Sequence, residues 1–411
     1  MNAVELVDLV KIEEPSFYDN AVPVYQRLQT EAPVYYYAPL DIFVLTKHED
    51  IRFAAQRKDI FSPTGGMLLT EIMYKDEEDA KLLDVFFDPA GEMFIYTDLP
   101  RHRELRRLIT PAFTPRSLQT MSAELESSCR GLVDGIEAGQ PVEFVEAVAS
   151  RLPILFASRL LGTNSSDVEL IRQWSDGLEK IGSGNLSRDD MRDAATEFHN
   201  MNTFFLSEFE RKRRDPGDDL VTTLLNATLD GQKLSDARLL TYCALVLASG
   251  AETTRSLLAG TAIALAQHPD QLAMLRADRS LMPTAIDEAL RWTTPARGFI
   301  RTLLDDTEIR GQVIKKGQRV YLVYSAGNID PDVFENPLTF DITRAQEIQH
   351  LGFGFGPHIC IAAQLVRMEA AMLFNMLLDR FSGWELAAEP QPLTHILRSG
   401  WNDAPLIFKQ A

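Results

Sequence analysis

One long helical pattern, from residue 235 to about residue 267, limits the folds that this chain of 411 residues can adopt. At a rise of 1.5 Å per residue such a helix measures roughly 50 Å, which is enough to cross the whole molecule. Ser235 is suited to cap its start, and residues 239–251 contain no charged side chain. A helix without a charged face is buried all round. The sequence therefore predicts a fold built about one central, buried helix.

The middle of this helix, "LVLASGAETTRS", carries polar groups where the pattern predicts burial. Gly250 weakens the helix, and the hydroxyls of Thr253 and Thr254 can bond to carbonyls of the preceding turn and bend it. Glu252 adds a carboxylate. One interpretation is a solvent-facing turn of an amphipathic helix. The uncharged run before it favours the other interpretation, a functional acid and alcohol in the interior.

A second constraint is the stretch "HLGFGFGPHICIAAQ", in which three alternating glycines precede Cys360 and an apolar helix is expected from Ile359 onward. Cys129 and Cys243 lie far away in helical patterns, so neither a disulfide framework nor a four-cysteine zinc site is expected. A thiolate needs positive surroundings or a metal, and the positive end of the helix would supply part of this. Glycines let a backbone approach a flat group closely. Because cysteine is an axial ligand of heme iron, we interpret the stretch as a heme-binding loop.

Two helical patterns carry ionic groups. In "DEALRW", Glu288 and Arg291 are spaced to pair on one face, although an exposed pair of this kind carries little weight. In "DLPRHRELRRLITPAF", His102 and Arg106 share a face. That face is either a solvated basic surface or a means of holding a carboxylate ligand, such as the two propionates of heme.

The remaining patterns predict a mainly α fold with a smaller β portion, an α+β architecture. Strands are expected in residues 33–47, 299–324 and about 384–408, with mostly helical patterns from "HEDIRFAAQ" to about Arg380. A polar, glycine-bearing stretch over residues 62–98 interrupts the helices, and long loops of this kind are usually functional. Because no linker divides the chain, we expect a single domain, 1–411.

Charge and hydropathy exclude several classes of partner. The net charge of −18 argues against nucleic acid and against a generally basic surface for anionic membranes. The N-terminus lacks a signal-peptide pattern, and no uncharged run reaches the ~18–20 residues that a membrane helix needs. We therefore expect a cytoplasmic protein without membrane insertion.

In their order along the chain, these motifs resemble those of the cytochrome P450 superfamily, specifically its soluble bacterial members. "FGFGPHIC" matches the cysteine signature FGxGxHxC, "SGAETT" the acid–alcohol signature, "EALR" the ExxR motif and "HRELRR" the HxxxR motif. "FDITR" resembles the stretch that adds a third member to the Glu–Arg pair. The resemblance extends from about Ala21 to the C-terminus, and it implies heme b between the central helix and the helix of the cysteine loop.

The resemblance also implies a role for each matching residue. Cys360 would be the proximal thiolate ligand of the heme iron. The residues expected to face the propionates are His102, Arg106, Arg301 and His358. Those expected near the sulfur or the oxygen side of the heme are Phe353, Ala248, Gly250 and Ala251. Proton delivery would rest on Glu252 and Thr253, substrate contact on Phe299 and Leu397, and the structural triad on Glu288, Arg291 and Arg344. One departure is Ala362, which stands where the family usually has glycine and implies an added methyl group beside the ring.

The implied activity is that of a heme-thiolate monooxygenase that activates O2 and hydroxylates a lipophilic small molecule of the sterol, branched-lipid or terpenoid class. No GxGxxG unit is present, and three scattered cysteines cannot hold a Cys₄ iron–sulfur cluster, so a separate ferredoxin with its reductase is expected. Arg103, Arg107 and Arg367 are the candidates for its docking patch. Two alternatives stay open at this point: a peroxide-driven peroxygenase, and a non-enzymatic heme or lipid-binding protein. The Glu252–Thr253 pair favours O2 over peroxide.

Overall fold

The computed structural model describes residues 5–73, 92–184, 186–344 and 349–411. Helices form most of it, and the expected α+β class is confirmed. In chain order the α-helices are α1 (Leu6–Leu9), α2 (Val22–Glu31), α3 (His48–Gln56), α4 (Leu69–Met73), α5 (Arg101–Ile109), α6 (Pro115–Asp134), α7 (Arg151–Leu161), α8 (Val168–Gly182), α9 (Arg188–Arg214), α10 (Leu220–Asn226), α11 (Asp236–Gln267), α12 (Pro269–Ala277), α13 (Met282–Thr293), α14 (Tyr324–Gly327) and α15 (Ala363–Arg380).

The strands are shorter than the helices and contain a smaller part of the described residues. They are β1 (Val34–Tyr37), β2 (Ile42–Leu45), β3 (Phe61–Ser62), β4 (Pro141–Glu143), β5 (Thr228–Leu229), β6 (Gln232–Lys233), β7 (Gly298–Leu303), β8 (Thr307–Ile309), β9 (Gln312–Ile314), β10 (Arg319–Val323), β11 (Phe381–Leu386) and β12 (Pro405–Gln410). No helix in these described ranges is long and apolar enough to cross a membrane.

The predicted central helix is present as α11. Its bounds agree with the expected 235–267, and the Ser235 hydroxyl caps it by accepting a hydrogen bond from the Arg238 N–H at 3.3 Å. It packs against α7, α8 and α13. The uncharged run is buried from Thr241 to Leu247, but Ala248 and Ser249 are exposed. The helix is therefore not buried all round, because a cavity opens beside its middle.

The larger sheet joins distant segments in the order β1-β2-β10-β7-β3. β1 and β2 form the predicted hairpin, and β10 lies parallel to β2 with Leu322 opposite Leu45. β7 pairs with β10 in antiparallel register. Because Phe299 and Arg301 are two positions apart on β7, their side chains point to the same face, and both reach the cavity.

The C-terminal segment agrees with the β-rich expectation for residues 384–408 at its ends only. β11 and β12 pair with each other and with β4. Between them the chain forms only the isolated bridges Pro392–Trp401 and Ala296–Arg398. Pro390 and Pro392 lack the N–H that a continuous ladder requires. The intervening turn, residues 395–398, lies against the cavity instead.

The structure brings Glu288, Arg291 and Arg344 together. The Glu288 carboxylate accepts hydrogen bonds from Arg291 Nη2 at 2.7 Å and Nε at 2.8 Å, and from Arg344 Nε at 3.0 Å. Arg291 also donates to the backbone carbonyls of Asn328 and Pro337. Since the Glu288 and Arg291 side chains are only 1% exposed, this cluster is a buried junction between α13 and the segment that follows α14.

The long stretch expected over residues 62–98 is only partly described, since residues 74–91 lie outside the described ranges. On its near side, β3 is followed by α4. On its far side, residues 94–96 form one turn ahead of α5. Both flanks contribute side chains to the cavity, among them Met67 and Tyr96.

The buried junction gives a first prediction. Glu288→Gln keeps the shape of the side chain but leaves the Arg291 guanidinium without a counter-charge in the interior. We expect the free energy of unfolding to fall by ~3 kcal/mol or more, as when one partner of a buried ion pair is removed. Urea denaturation followed by circular dichroism measures it. Glu126→Gln, which breaks the exposed pair with Arg130, is the control and should cost about 0.5 kcal/mol. Equal losses would show that the buried pair carries no special weight.

Candidate active site

The cavity lies between the middle of α11 and the cysteine loop, which we define as residues 350–362. From α11 it is lined by Ala248, Gly250 and Thr253, and from the loop by Phe353 and Cys360. Apolar side chains of α7, α8 and β7 complete most of the wall. The structure thus places the acid–alcohol turn and the cysteine on one enclosed space, as the sequence motifs predict.

The glycines of the cysteine loop serve protein packing. Gly356 has φ +73°, and a Cβ there would lie 2.4 Å from the Ala55 carbonyl oxygen of α3. A Cβ on Gly352 would lie 2.8 Å from the Leu290 carbonyl oxygen of α13. Gly352 and Gly356 are thus required by protein packing, and close approach of the loop to a flat ligand stays a prediction. At both positions the neighbour is the backbone of another helix, because the loop is wedged between α3 and α13.

The start of the cysteine helix is also corrected. α15 begins at Ala363, not at Ile359, so Cys360 precedes the helix. Burial raises the pKa of the Cys360 thiol, and the smaller opposing effects come from the Ala362 N–H and from Arg106 and Arg367. The helix end alone does not keep this sulfur ionised, whereas a coordinated metal would. Ala362, in place of the usual glycine, has φ −87°, which any residue adopts without strain.

Cationic and imidazole groups gather at one side of the cavity. The ring centroids of His102 and His358 are 4.1 Å apart, and burial lowers the pKa of His102 to about 4 and that of His358 to about 2. Burial also lowers the pKa of Arg106 and of Arg301. Among the described residues neither arginine forms an ion pair with a carboxylate. Arg106 and Arg301 donate to the backbone carbonyls of Pro357 and Ile300.

This cluster fits the anionic edge of a heme. Both ring nitrogens of His102 are buried without a hydrogen-bond partner among the described residues. Buried polar groups of this kind are normally satisfied. Two carboxylates supplied by a ligand would neutralise Arg106 and Arg301 and accept hydrogen bonds from the imidazoles. Together with a lone thiol in the same cavity, the donor set suits an iron porphyrin.

The acid–alcohol turn has a defined geometry. The Thr253 hydroxyl donates to the Ser249 carbonyl at 2.8 Å, and Thr254 does the same to Gly250. Both threonines therefore bond back to the preceding turn, as the sequence predicts. Glu252 is buried, and burial raises the pKa of its carboxyl, with Arg255 as the main opposing influence. Of the two interpretations of this turn, the solvent-facing one is thus excluded at Glu252.

Three further polar residues at the cavity had no signal in the sequence. They are Arg398, Glu179 and His395, and all three line the cavity. Arg398 contacts Glu252, and Glu179 and His395 lie beside Arg398. Contacts between residues so far apart in the chain leave no local pattern. The residues predicted to touch substrate, Phe299 and Leu397, also line the cavity.

Glu71 holds the near wall of the cavity. Its carboxylate accepts hydrogen bonds from the Met67 N–H at 2.9 Å and from the Tyr96 hydroxyl at 2.5 Å. Met67 and Tyr96 both line the cavity. Burial raises the pKa of Glu71 to about 7, against the lowering effect of these hydrogen bonds. One buried carboxyl thus joins the two described flanks of residues 74–91.

Comparison with known proteins supports what the geometry indicates. A family model described as Cytochrome P450 matches residues 183–399. The chain is 33% identical to a steroid C26-monooxygenase of Mycolicibacterium smegmatis, over 87% of this chain and 81% of that protein. It is 31% identical to linalool 8-monooxygenase of Pseudomonas putida, over 92% and 93% respectively. The crystal structure of CYP108D1 from Novosphingobium aromaticivorans superposes over 100% of both chains, with a TM-score of 0.86 and 28% identity.

A cysteine loop and an acid–alcohol turn that share one cavity define a heme-thiolate oxygenase site. The chain belongs to the cytochrome P450 family. It is a monooxygenase, and its cofactor is heme. The predicted family, fold class, enzyme class and cofactor are therefore confirmed.

The hydrogen bonds of the buried Glu71 carboxyl give a prediction about the dependence of stability on pH. The folded protein holds a proton on Glu71 between about pH 4.5 and 7 that the unfolded chain does not hold. Stability therefore falls as the pH rises through this window. Glu71→Gln cannot ionise. Between pH 4.5 and 8 the parent protein should therefore lose up to about 3 kcal/mol of unfolding free energy that the variant does not lose. Denaturation midpoints measured across that range test this, and a difference that stays constant with pH would contradict it.

Proposed function

We propose that this cytochrome P450 hydroxylates a lipophilic small molecule of the sterol, branched-lipid or terpenoid class. The observation that carries the proposal is the cavity itself, which is mostly apolar and holds Cys360 and the Thr253 turn in its wall. Phe299 and Leu397 offer apolar contact to such a molecule. The similarity to enzymes named for steroid and linalool oxidation supports the same class.

In this proposal the chain holds heme through residues already in place. The Cys360 sulfur would ligate the iron, and Phe353 would shield it. Arg106, Arg301 and the two imidazoles of His102 and His358 would bind the propionates. When bound, heme supplies the redox chemistry that reduces O2 and oxidises a C–H bond.

Glu252 and Thr253 would deliver the protons that O2 reduction consumes. To donate into the cavity, the Thr253 hydroxyl must release its bond to the Ser249 carbonyl. Burial raises the pKa of Glu252 and so favours its protonated form, which suits this carboxyl to taking up a proton and passing it on. An acid next to an alcohol, with an apolar cavity on one side, is suited to moving protons inward while excluding bulk water.

Electrons would come from a separate ferredoxin and its reductase. Arg103 and Arg107 on α5 are exposed, next to the face that carries His102 and Arg106, and they remain our docking candidates. Arg367 is less suitable than the sequence predicts. Its guanidinium is 2.8 Å from Asp287 and stacks over Phe353 at 4.6 Å. We also propose that residues 1–411 form one domain in the cytoplasm. A solved structure that aligns over the full chain supports the single domain.

The peroxide-driven alternative differs from this proposal at one residue pair. Peroxide arrives already reduced, so a peroxygenase has no need of Glu252 and Thr253 as proton donors. Their placement in the cavity wall favours O2. The variant of Thr253 described below separates the two mechanisms.

Removal of the cysteine tests the heme site. Cys360→Ala should lose the absorbance band of a thiolate-ligated, carbonyl-bound reduced heme, together with all monooxygenase activity. Cys129→Ala and Cys243→Ala serve as controls, because both thiols are buried in the core away from the cavity lining. Both controls should keep the band. A normal band in Cys360→Ala would refute the assignment of the ligand.

Thr253→Ala tests proton delivery. Heme uptake and substrate affinity should stay unchanged, since neither needs this proton. Hydroxylated product per reduced cofactor consumed should fall by ~10²-fold, with peroxide released instead. Glu252→Gln should slow the whole cycle, because an amide relays no proton. Thr254→Ala removes the neighbouring back-bonded hydroxyl and should couple normally. If Thr253→Ala couples as well as the parent protein, the proton route lies elsewhere.

Charge reversal tests the docking patch. Arg103→Glu combined with Arg107→Glu should slow reduction by ferredoxin and flatten its dependence on salt, while substrate affinity is retained. Exposed charges act mainly on encounter, and salt screens them beyond about 10 Å at 0.1 M. Arg192→Glu with Arg214→Glu makes the same charge change on exposed positions of α9. If both pairs slow reduction equally, net charge rather than a local patch is responsible.

A further inference from the structure

A buried arginine joins two carboxylates at the cavity. Arg398 Nη1 lies 3.0 Å from Glu252 Oε2 and donates to the Glu252 carbonyl at 3.2 Å. Its Nη2 forms an ion pair with Glu179. The side chains of Arg398, Glu252 and Glu179 are 6%, 5% and 12% exposed. One guanidinium thus connects α11, which carries the proposed proton donor, to α8, which forms another part of the cavity wall.

His395 fixes the other side of this connection. Its Nδ1 accepts hydrogen bonds from the backbone N–H groups of Leu397 at 3.0 Å and Arg398 at 3.1 Å. The proton of the neutral ring therefore lies on Nε2, which is 3.2 Å from Glu179 Oε1. Burial lowers the pKa of His395 to about 3, so the ring stays neutral near pH 7. The turn of residues 395–398 is held in one conformation by this ring.

The charges around Glu252 are arranged unequally. On its own helix, Arg255 Nη1 donates to Glu252 Oε2 at 3.2 Å and is not bonded to Glu179. On α8, Asp176 also faces this carboxylate and has its pKa raised mainly by burial and next by Glu252. In the part of the chain that the structure describes, Arg398 is the cation that forms ion pairs with carboxylates on both helices. Leaving either carboxylate without a counter-charge in the interior would be costly.

A substrate in the cavity would lie next to the residues that join α8 and α11. Leu397 lines the cavity and sits between His395, which lies beside Glu179, and Arg398, which is ion-paired with Glu179. Gly182, at the end of α8, is a neighbour of Leu397, since an added Cβ would lie in ordinary contact, 3.4 Å from Leu397 Cδ2. Displacement of Leu397 or of the end of α8 would therefore be felt at Arg398, the next residue in the chain and the partner of Glu179 on α8.

We propose that Arg398 is a positioning residue for the monooxygenase reaction, which holds the Glu252 carboxylate in place for proton transfer and, through Glu179, makes that placement depend on the position of α8. The proposal rests on the role given to Glu252 above. Glu179 is then also a positioning residue, although it takes no part in proton transfer.

Substitutions of the arginine separate charge from bridging. Arg398→Gln removes both, whereas Arg398→Lys keeps the charge on a single ammonium that cannot bind both carboxylates in the same way. Product per reduced cofactor should fall roughly tenfold in Arg398→Gln, less than the ~10²-fold expected for Thr253→Ala. Arg398→Lys should recover little of it. Arg255→Gln removes a cation that is bonded to Glu252 but forms no ion pair with Glu179; it is the matched control and should change the ratio less than twofold.

Glu179→Gln tests the link to α8. It should lower the product ratio in the parent protein but have no further effect in Arg398→Gln, because the two residues act through one contact. In Arg255→Gln the effect of Glu179→Gln should persist in full. The proposal would be overturned if Glu179→Gln lowered the product ratio as much in Arg398→Gln as in the parent protein.

A second readout does not depend on turnover. In the ferric holoenzyme without electron donor, Arg398→Gln and Glu179→Gln should both speed amide hydrogen exchange in residues 168–182, and Arg255→Gln should not. Residues 101–109 on the opposite side of the heme site should be unaffected in all variants. Unchanged exchange in residues 168–182 in Arg398→Gln would also overturn the proposal.

Glu252→Gln separates the proposed role of Arg398 from the proposed role of Glu252. If Glu252→Gln slows the cycle while Arg398→Gln changes neither the rate nor the product ratio, Glu252 delivers protons and the assignment of Arg398 is wrong. If Glu252→Gln leaves both rate and ratio unchanged, the proton route proposed above is wrong, and the role of Arg398 in it is wrong as well.

Discussion

The buried ion pair between Glu288 and Arg291 is the interaction on which the rest of the site depends. Arg291 donates to the Asn328 carbonyl at 2.9 Å, and the Asn328 amide oxygen accepts the Leu351 N–H at 2.7 Å. Leu351 is part of the cysteine loop, so a short series of hydrogen bonds fixes the backbone that carries Cys360. The loop that carries the thiol keeps its position because moving it would leave the buried amide oxygen of Asn328 without the Leu351 N–H.

The cavity is electrostatically divided. Its heme side gathers Arg106 and Arg301 without ion-pair partners among the described residues, while its other polar end holds Glu179 and Glu252 around Arg398. Buried charges without compensation are expensive. The first group is therefore suited to an anionic cofactor, and the second is held by ion pairs within the protein. An overall charge of −18 gives no hint of this division.

The same division separates binding from specificity. The cofactor side consists of residues whose motifs are short and local, such as His102 and Arg106 on one turn of α5. The substrate side is assembled from α8, β7 and the turn of residues 395–398, which are remote from one another in the chain. Enzymes that share a heme site can therefore differ in substrate through these segments without disturbing the loop that holds the sulfur.

The sequence by itself determined the elements and the chemistry. The uncharged run of α11, the Ser235 cap and the cysteine loop follow from local spacing, which is why the central helix, its bounds and the family could be predicted. The predicted start of α15 at Ile359 is wrong, and the packing of Gly352 and Gly356 against α13 and α3 left no local pattern, because both depend on which backbone lies nearby. Only the tertiary structure decided that Arg398 binds Glu252 and Glu179. Such contacts join residues far apart in the chain, and burial, not any local pattern, brings their charges together.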